Sequence, residues 1–204
     1  MPRHNRIAHL TKPDGAGATA RASTRASSGG AAGVSGAADA AGTAVAPHRT
    51  KNHLSEETRR FAIPTLTVHL ANALDLFSQC KQAHWNVKGP SFYSLHLLFD
   101  EAAKEVSEWV DLLAERVVQL GGVARGTVRM SAAASELDEY PLELTDGLAH
   151  ADALSTTLAA FGNHVRRDID RLADAGDADS ADILTEVSRG VDKLVWFVEA
   201  HTQA

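Results

Sequence analysis

The chain predicts an all-α fold, a four-helix bundle with one long crossover, and three observations carry that assignment. Four long segments, near 64–87, 94–120, 145–174 and 180–201, place apolar residues at helical spacing. One interval, Gly122–Leu144, is far too long for a tight hairpin between antiparallel helices. No stretch alternates apolar and polar residues as a half-buried strand does.

The elements follow in order. Residues 1–50 are rich in Ala, Gly, Ser and Thr, hold no aromatic residue and show no sustained apolar period. Such a segment cannot bury enough surface to offset its ordering entropy, so 1–53 reads as a disordered arm and 54–204 as the folded domain. Pro47–Glu57 is a polar approach with room for a short turn of helix. The first helix is expected from Pro64, acting as a first-turn proline, to Val87, with a stripe of Leu66, Leu70, Ala73, Phe77, Cys80 and His84. A second runs from Ser94 to Leu120 and stops at Gly121-Gly122. Its main stripe is Leu95, Phe99, Ala102, Val106, Val110, Leu113, Val117 and Leu120. The third starts at Thr145-Asp146, a good N-cap, and ends near Asp174; the fourth spans Ser180–His201 around Ile183, Leu184, Val187, Val191, Leu194, Val195 and Val198. Within the crossover, Ala132–Leu137 has room for a short helix.

Composition narrows the function classes. No apolar run reaches the length of a membrane span, and the N-terminus lacks an apolar secretory core. Cys80 is the only cysteine, so no internal disulfide forms, and a reducing, cytoplasmic compartment is the simpler expectation. The formal charge of −6 conceals a split: seven cations against Asp14 and Asp39 make residues 1–53 +5, which leaves −11 on the remainder. A basic arm on an acidic body points to an anionic partner for the arm alone.

The second helix holds the most specific signal. His96, Asp100, Asp111 and Glu115 fall at about 0°, 40°, 60° and 100° around it, so they share a face. Asp100 and Asp111 lie about 16 Å apart along the axis, beyond the reach of one metal ion. Their numbers are symmetric about 105.5, so an antiparallel second copy would bring each His/Asp pair to the partner's Asp/Glu pair. Ala103, Ser107 and Ala114 lie between the pairs, small enough for close helix approach. The competing reading is a solvated polar face.

The stretch Lys81-Gln82-Ala83-His84-Trp85-Asn86-Val87-Lys88-Gly89-Pro90, followed by Phe92, His96, Asp100, Asp111 and Ala114-Glu115-Arg116, resembles the Dps family. These are the DNA-binding proteins from starved cells, or mini-ferritins. Ser180-Ala181-Asp182-Ile183-Leu184, Asp192-Lys193 and Trp196-Phe197 extend the likeness, which covers residues 64–201. The resemblance implies a ferritin-like bundle, consistent with one long crossover, dimerised through the second helix and assembled as a hollow homododecamer. It implies a ferroxidase site in which His84, His96 and Asp100 of one subunit face Asp111 and Glu115 of its mate. That site would oxidise ferrous iron, with hydrogen peroxide preferred, and store the ferric mineral. By position alone, His84 also fits a hydrogen-bonded core histidine.

Three further groups follow. Asp174, Asp177, Asp179 and Asp182 make an acidic turn; Asp caps and turns explain such residues, while the resemblance assigns Asp174 and Asp182 to an iron-admitting pore and Ala178 departs from it. Arg3, Arg6, Lys12, Arg21 and Arg25 are expected to hold DNA phosphates without sequence readout, which would associate the protein with the nucleoid. The arm also reads as a solubilising tail or a transit peptide. Asp39, His48, His53 and Glu57 have the types for an extra metal site at the base of the arm. Trp85 and Trp196 fit space-filling roles or redox-active aromatics near iron. Rival functions are a nucleoid-compacting structural protein with a vestigial iron site, and iron storage without DNA binding.

Overall fold

The computed structural model describes residues 47–203. Five α-helices are present, α1 (Glu56–Asn86), α2 (Phe92–Gln119), α3 (Val128–Ala134), α4 (Gly147–Asp174) and α5 (Ala178–Glu199), with no strand among the described residues. α1 packs chiefly on α2 and α4 on α5, and the two helical hairpins join through α1–α4 and α2–α5 contacts. The crossover from α2 to α4 carries α3 against α1. Four long helices with one long connection are the architecture expected from the sequence.

α1 starts eight residues before Pro64, so that proline sits inside the helix rather than in its first turn. The reason is a stronger start signal upstream. The Ser55 side chain accepts from Thr58 N, Glu56 and Glu57 occupy the first turn, and Glu56 pairs with Arg60 at 2.6 Å. Ala62, fully buried, continues the apolar stripe by one more turn. Pro64 leaves the Arg60 carbonyl without its helical donor, and the surrounding burial outweighs that loss.

The approach segment 47–54, assigned by composition largely to the arm, lies on the end of α2. His48 N donates to Gly121 O at 2.6 Å, and Arg59 Nη1 donates to Leu120 O at 3.2 Å. Gly121 has φ +90°, the left-handed turn that closes α2, and a Cβ there would stand 2.5 Å from His48 O. The glycine therefore serves both the turn and the docking of the strap. α3 lies four residues before the expected 132–137, because Thr127 caps it by accepting from Met130 N.

The core follows the anticipated stripes, with Leu66, Leu70, Leu95, Phe99, Leu113 and Leu184 fully buried, and α4 adds Leu154 and Phe161. Trp109, absent from the second helix's expected stripe, is buried against Phe161 with ring centres 6.3 Å apart. Gly190 of α5 makes room for it: a Cβ would meet Trp109 Cζ2 at 2.5 Å. Ala103 is buried within the subunit rather than left on the outer face.

Polar contacts stitch the crossover and α4 to α1. Asn72 Oδ1 accepts from Glu136 N, Gln79 donates to Asp138 O, and buried His69 Nε2 lies 2.9 Å from Asp168 Oδ2. Asp168 also binds Arg171. Burial pushes the His69 pKa below the usual 6.5, outweighing the upward pull of Asp168. The unfolded chain therefore takes up a proton on His69 as pH falls below about 6.5 while the folded chain resists it. Stability should be flat at higher pH and fall as pH drops through that value. The urea midpoint should decrease between about pH 7.5 and 5.5, and H69N should flatten this slope. An unaltered slope in the variant would exclude His69 as the source.

Candidate metal centre

The short turn between α1 and α2 brings two imidazoles together. His84, in the last turn of α1, and His96, in the second turn of α2, stack with ring centres 3.8 Å apart and planes 19° from parallel. His84 Nδ1 donates to the His96 carbonyl at 2.7 Å, and His96 Nδ1 donates back to the His84 carbonyl at 2.9 Å. Each bond holds its ring as the Nδ1–H tautomer and orients it. Each Nε2 is thereby left with its lone pair and no hydrogen bond among the described residues. This pair is half-buried with one nitrogen each in reserve, the form in which imidazole binds a metal ion.

Asp100 lies one helical turn beyond His96 and is exposed. Lys81 Nζ donates to Asp100 Oδ1 at 2.5 Å, and this hydrogen bond is the main cause that lowers the Asp100 pKa, assisted by the charges of Lys81, His84 and His96. An oxygen that already faces an ammonium is disposed to receive a cation. Sequence reasoning missed Lys81, although its place three residues before His84 puts it on the same face of α1. Asp111 and Glu115 are exposed at the far end of α2. Among the described residues, no three His, Cys, Asp or Glu side chains approach closely enough to share a metal ion. The residues expected as ligands fall in two separated half-sets within one chain, His84, His96 and Asp100 toward one end of α2 and Asp111 and Glu115 toward the other.

Around the histidine end the surface is apolar. Trp85 is 67% exposed and Tyr93 71%, with Phe92 and Leu97 also open. Trp196, on α5, is exposed as well, so neither Trp85 nor Trp196 fills the core of the chain. An apolar rim beside polar half-sets is the expected dress of a surface that meets another protein.

The acidic turn divides into two kinds of residue. Asp177 is buried; it caps α5 by accepting from Ser180 N and receives Arg116 Nη2 at 2.6 Å. Arg116, itself buried, also donates through Nε to Ser180 Oγ. Asp174, Asp179 and Asp182 stay exposed. Thus Asp177 holds the end of α2 to the start of α5, while Asp174 and Asp182 stay on the surface. The Asp177 role had a sequence signal, an Asp three residues before Ser180 at a helix start; its long-range arginine had none.

Residues 1–46 carry Arg3, Arg6, Lys12, Arg21, Arg25 and Asp39, which lie outside the described residues. Of the extra metal set, His48, His53 and Glu57 are exposed, and they do not form a group that could hold a metal ion among the described residues.

Residues 64–204 match the family model described as a ferritin-like domain. The DNA protection during starvation protein of Agrobacterium fabrum is 41% identical over 156 residues, covering 76% of this chain and 96% of that one. The chain belongs to the Dps family of ferritin-like proteins. A protein of the same name from Brevibacillus brevis is 36% identical over 141 residues, covering 66% of this chain and 90% of that one. Among solved structures, DpsC from Streptomyces coelicolor superposes with a TM-score of 0.74 at 30% identity, covering 78% of this chain and 92% of that chain. A Mycobacterium smegmatis Dps gives 0.73 at 30% identity over 76% of this chain and 95% of its own. No helix of the described residues is long and apolar enough to cross a membrane.

Proposed function

We propose that this Dps-family chain is a ferroxidase. In this reading it oxidises ferrous iron with hydrogen peroxide in preference to dioxygen, stores the ferric product in a hollow homododecamer and protects DNA. The observation that carries the reading is the locked imidazole pair. His84 and His96 offer two unused Nε2 lone pairs beside Asp100, at the opposite end of α2 from Asp111 and Glu115. Antiparallel pairing of two α2 helices about Glu105–Val106 would bring the two half-sets together, and the exposed Trp85, Phe92, Tyr93 and Leu97 offer apolar surface for such a contact.

In the paired site, three carboxylates and two imidazoles suit ferrous ions, as they also suit zinc, manganese and cobalt. Asp100 and Glu115 supply the strongest anionic oxygens. Lys81 releases Asp100 when the iron substrate arrives, exchanging one cation for another. Two ferrous ions giving one electron each reduce peroxide to water, which avoids hydroxyl radical. Asp174 and Asp182, repeated around a three-fold axis, would raise the local concentration of cations.

Anaerobic titration with ferrous ions, followed by peroxide, tests this. Saturable binding and prompt appearance of ferric absorbance are expected, with two ferrous ions consumed per peroxide. Absence of ferric product would leave the iron site vestigial and the protein a structural DNA-compacting one. Zinc, which shares the ligands, should inhibit.

DNA contact is assigned to the basic arm, since the remainder of the chain is acidic. Arg3, Arg6, Lys12, Arg21 and Arg25, repeated over the shell, gain affinity by multivalency. Deleting residues 1–46, which spares the strap on α2, should abolish the salt-sensitive DNA gel shift and leave ferrous oxidation intact. An unchanged shift would refute the arm's role, and no shift for the full chain would leave iron storage alone.

A further inference from the structure

A small cleft of about 250 Å³ opens between α1 and α3, and none of its lining residues belongs to the candidate metal centre. Thr67 and Ala71 of α1 form one wall; Arg125, Arg129, Met130 and Ala133 form the other. The two arginines are the only ionisable side chains that line it. The lack of a carboxylate is written into the sequence. Residues 58–74 of α1 and the facing stretch 116–135 contain no Asp or Glu, although the body 54–204 carries a formal −11. Four arginines elsewhere face carboxylates: Arg60 pairs with Glu56, Arg116 with Asp177, Arg166 with Asp192 and Arg171 with Asp168. Arg129 is exposed and meets none among the described residues.

The walls of the cleft are held in place. Ser131 Oγ donates to the Ala71 carbonyl at 2.9 Å and Ser135 Oγ to Asp75 Oδ2 at 2.6 Å, which pins α3 on α1 in its middle and at its end. The Thr67 hydroxyl proton is spent on the Ile63 carbonyl at 2.7 Å, so the guanidiniums are the side-chain donors that the cleft offers. Two like charges on one small concavity repel each other, and an anion between them reverses the sign of that interaction. Each guanidinium presents five N–H donors in a planar fork that matches the oxygens of phosphate. The alanine and methionine surface between them limits screening by water. The volume lies below that of pockets which enclose a drug-sized molecule, so the cleft suits one anionic group.

We propose that the α1–α3 cleft binds a phosphate group, with Arg129 as the principal fork and Arg125 as the second. The DNA backbone and inorganic phosphate present the same chemistry. As a DNA contact the cleft rests on the DNA-protection reading and adds a point of attachment on the folded body to those on the arm. One phosphate contact per chain is too weak to hold a duplex alone, so the arm remains necessary. As a site for free phosphate the cleft depends on neither the DNA reading nor the ferroxidase reading.

The test uses iron-free, assembled full-length protein. Calorimetric titration with inorganic phosphate should give saturable binding of one phosphate per chain, in competition with sulfate. R129Q should weaken it several-fold and R125Q/R129Q should remove it. R129K, which keeps the charge and loses the planar fork, should recover it only in part. R167Q/R189Q takes the same charge from exposed positions on α4 and α5 and should leave binding unchanged. Light scattering confirms that each variant assembles, and R129Q alters an exposed side chain with no partner to strand. A second series follows affinity for a random-sequence duplex against salt. Where the DNA backbone is the source, R129Q lowers affinity several-fold and flattens the log–log salt slope, while R167Q/R189Q does not. Lost phosphate binding with unaltered DNA affinity, or with no DNA binding by the full chain, assigns the cleft to free phosphate. A weaker DNA complex in R129Q without measurable phosphate binding assigns it to the backbone. The proposal is overturned if R125Q/R129Q changes neither phosphate binding nor the DNA salt slope, or if R167Q/R189Q matches its losses.

Discussion

Two variants each inactive in ferrous oxidation, H96A/D100A and D111A/E115A, should recover about a quarter of the wild-type rate when coexpressed. The arithmetic follows from shared half-sets. A dimer of the first variant lacks the histidine end at both sites, and a dimer of the second lacks the acidic end at both. A mixed dimer joins the intact histidine end of one chain to the intact acidic end of the other at one site, and both defects at its second site. Random pairing makes about half the dimers mixed, and half of their sites work. The expected loss in each variant alone is nearly complete, since among the described residues of one chain no three His, Cys, Asp or Glu side chains come close enough to share a metal ion. Mixed shells that regain nothing, despite verified mixed composition, would show that the half-sets do not combine. Full activity in either parent variant would show that they are not needed.

Replacing Arg116 by Met should lower stability by about 3–5 kcal/mol, the largest folding effect expected from a single polar change in this chain. The guanidinium is buried, bonded to Asp177 Oδ1 at 2.6 Å and to Ser180 Oγ at 2.9 Å, so its removal strands a buried carboxylate. D177N strands the guanidinium instead, while Asn, as good an N-cap as Asp, can still accept from Ser180 N. A double variant, R116M/D177N, should cost less than the two singles together, because neither partner is left charged and alone. Urea unfolding at one fixed protein concentration measures all three, since assembly makes stability concentration-dependent. Additive losses would mean that the pair is not coupled.

Helical periodicity made most of this legible before any coordinates. The four stripes, the Asp146 cap, the Gly121 stop and the one long crossover are local matters, set by backbone geometry and by which face carries Leu, Val and Phe. The face shared by His96, Asp100, Asp111 and Glu115 was legible for the same reason, because residue number fixes angle and height on a helix. Local signals also misled: Pro64 looked like a helix start until Ser55 and the two glutamates upstream proved the stronger terminator. Trp109 escaped the stripe because its burial depends on Gly190 of another helix.

What the amino-acid order alone determined was therefore everything periodic, namely element identity, the apolar faces and the symmetric placing of two polar pairs on α2. Tertiary structure decided which polar atoms are spent and which are spare. The imidazoles trade Nδ1 bonds only because the α1–α2 turn stacks them, Lys81 reaches Asp100 only across that hairpin, and Arg116 finds Asp177 only where α2 ends beside α5. Hydrogen bonds between distant segments have no period in sequence; their partners are set by packing, and packing is a property of the folded chain.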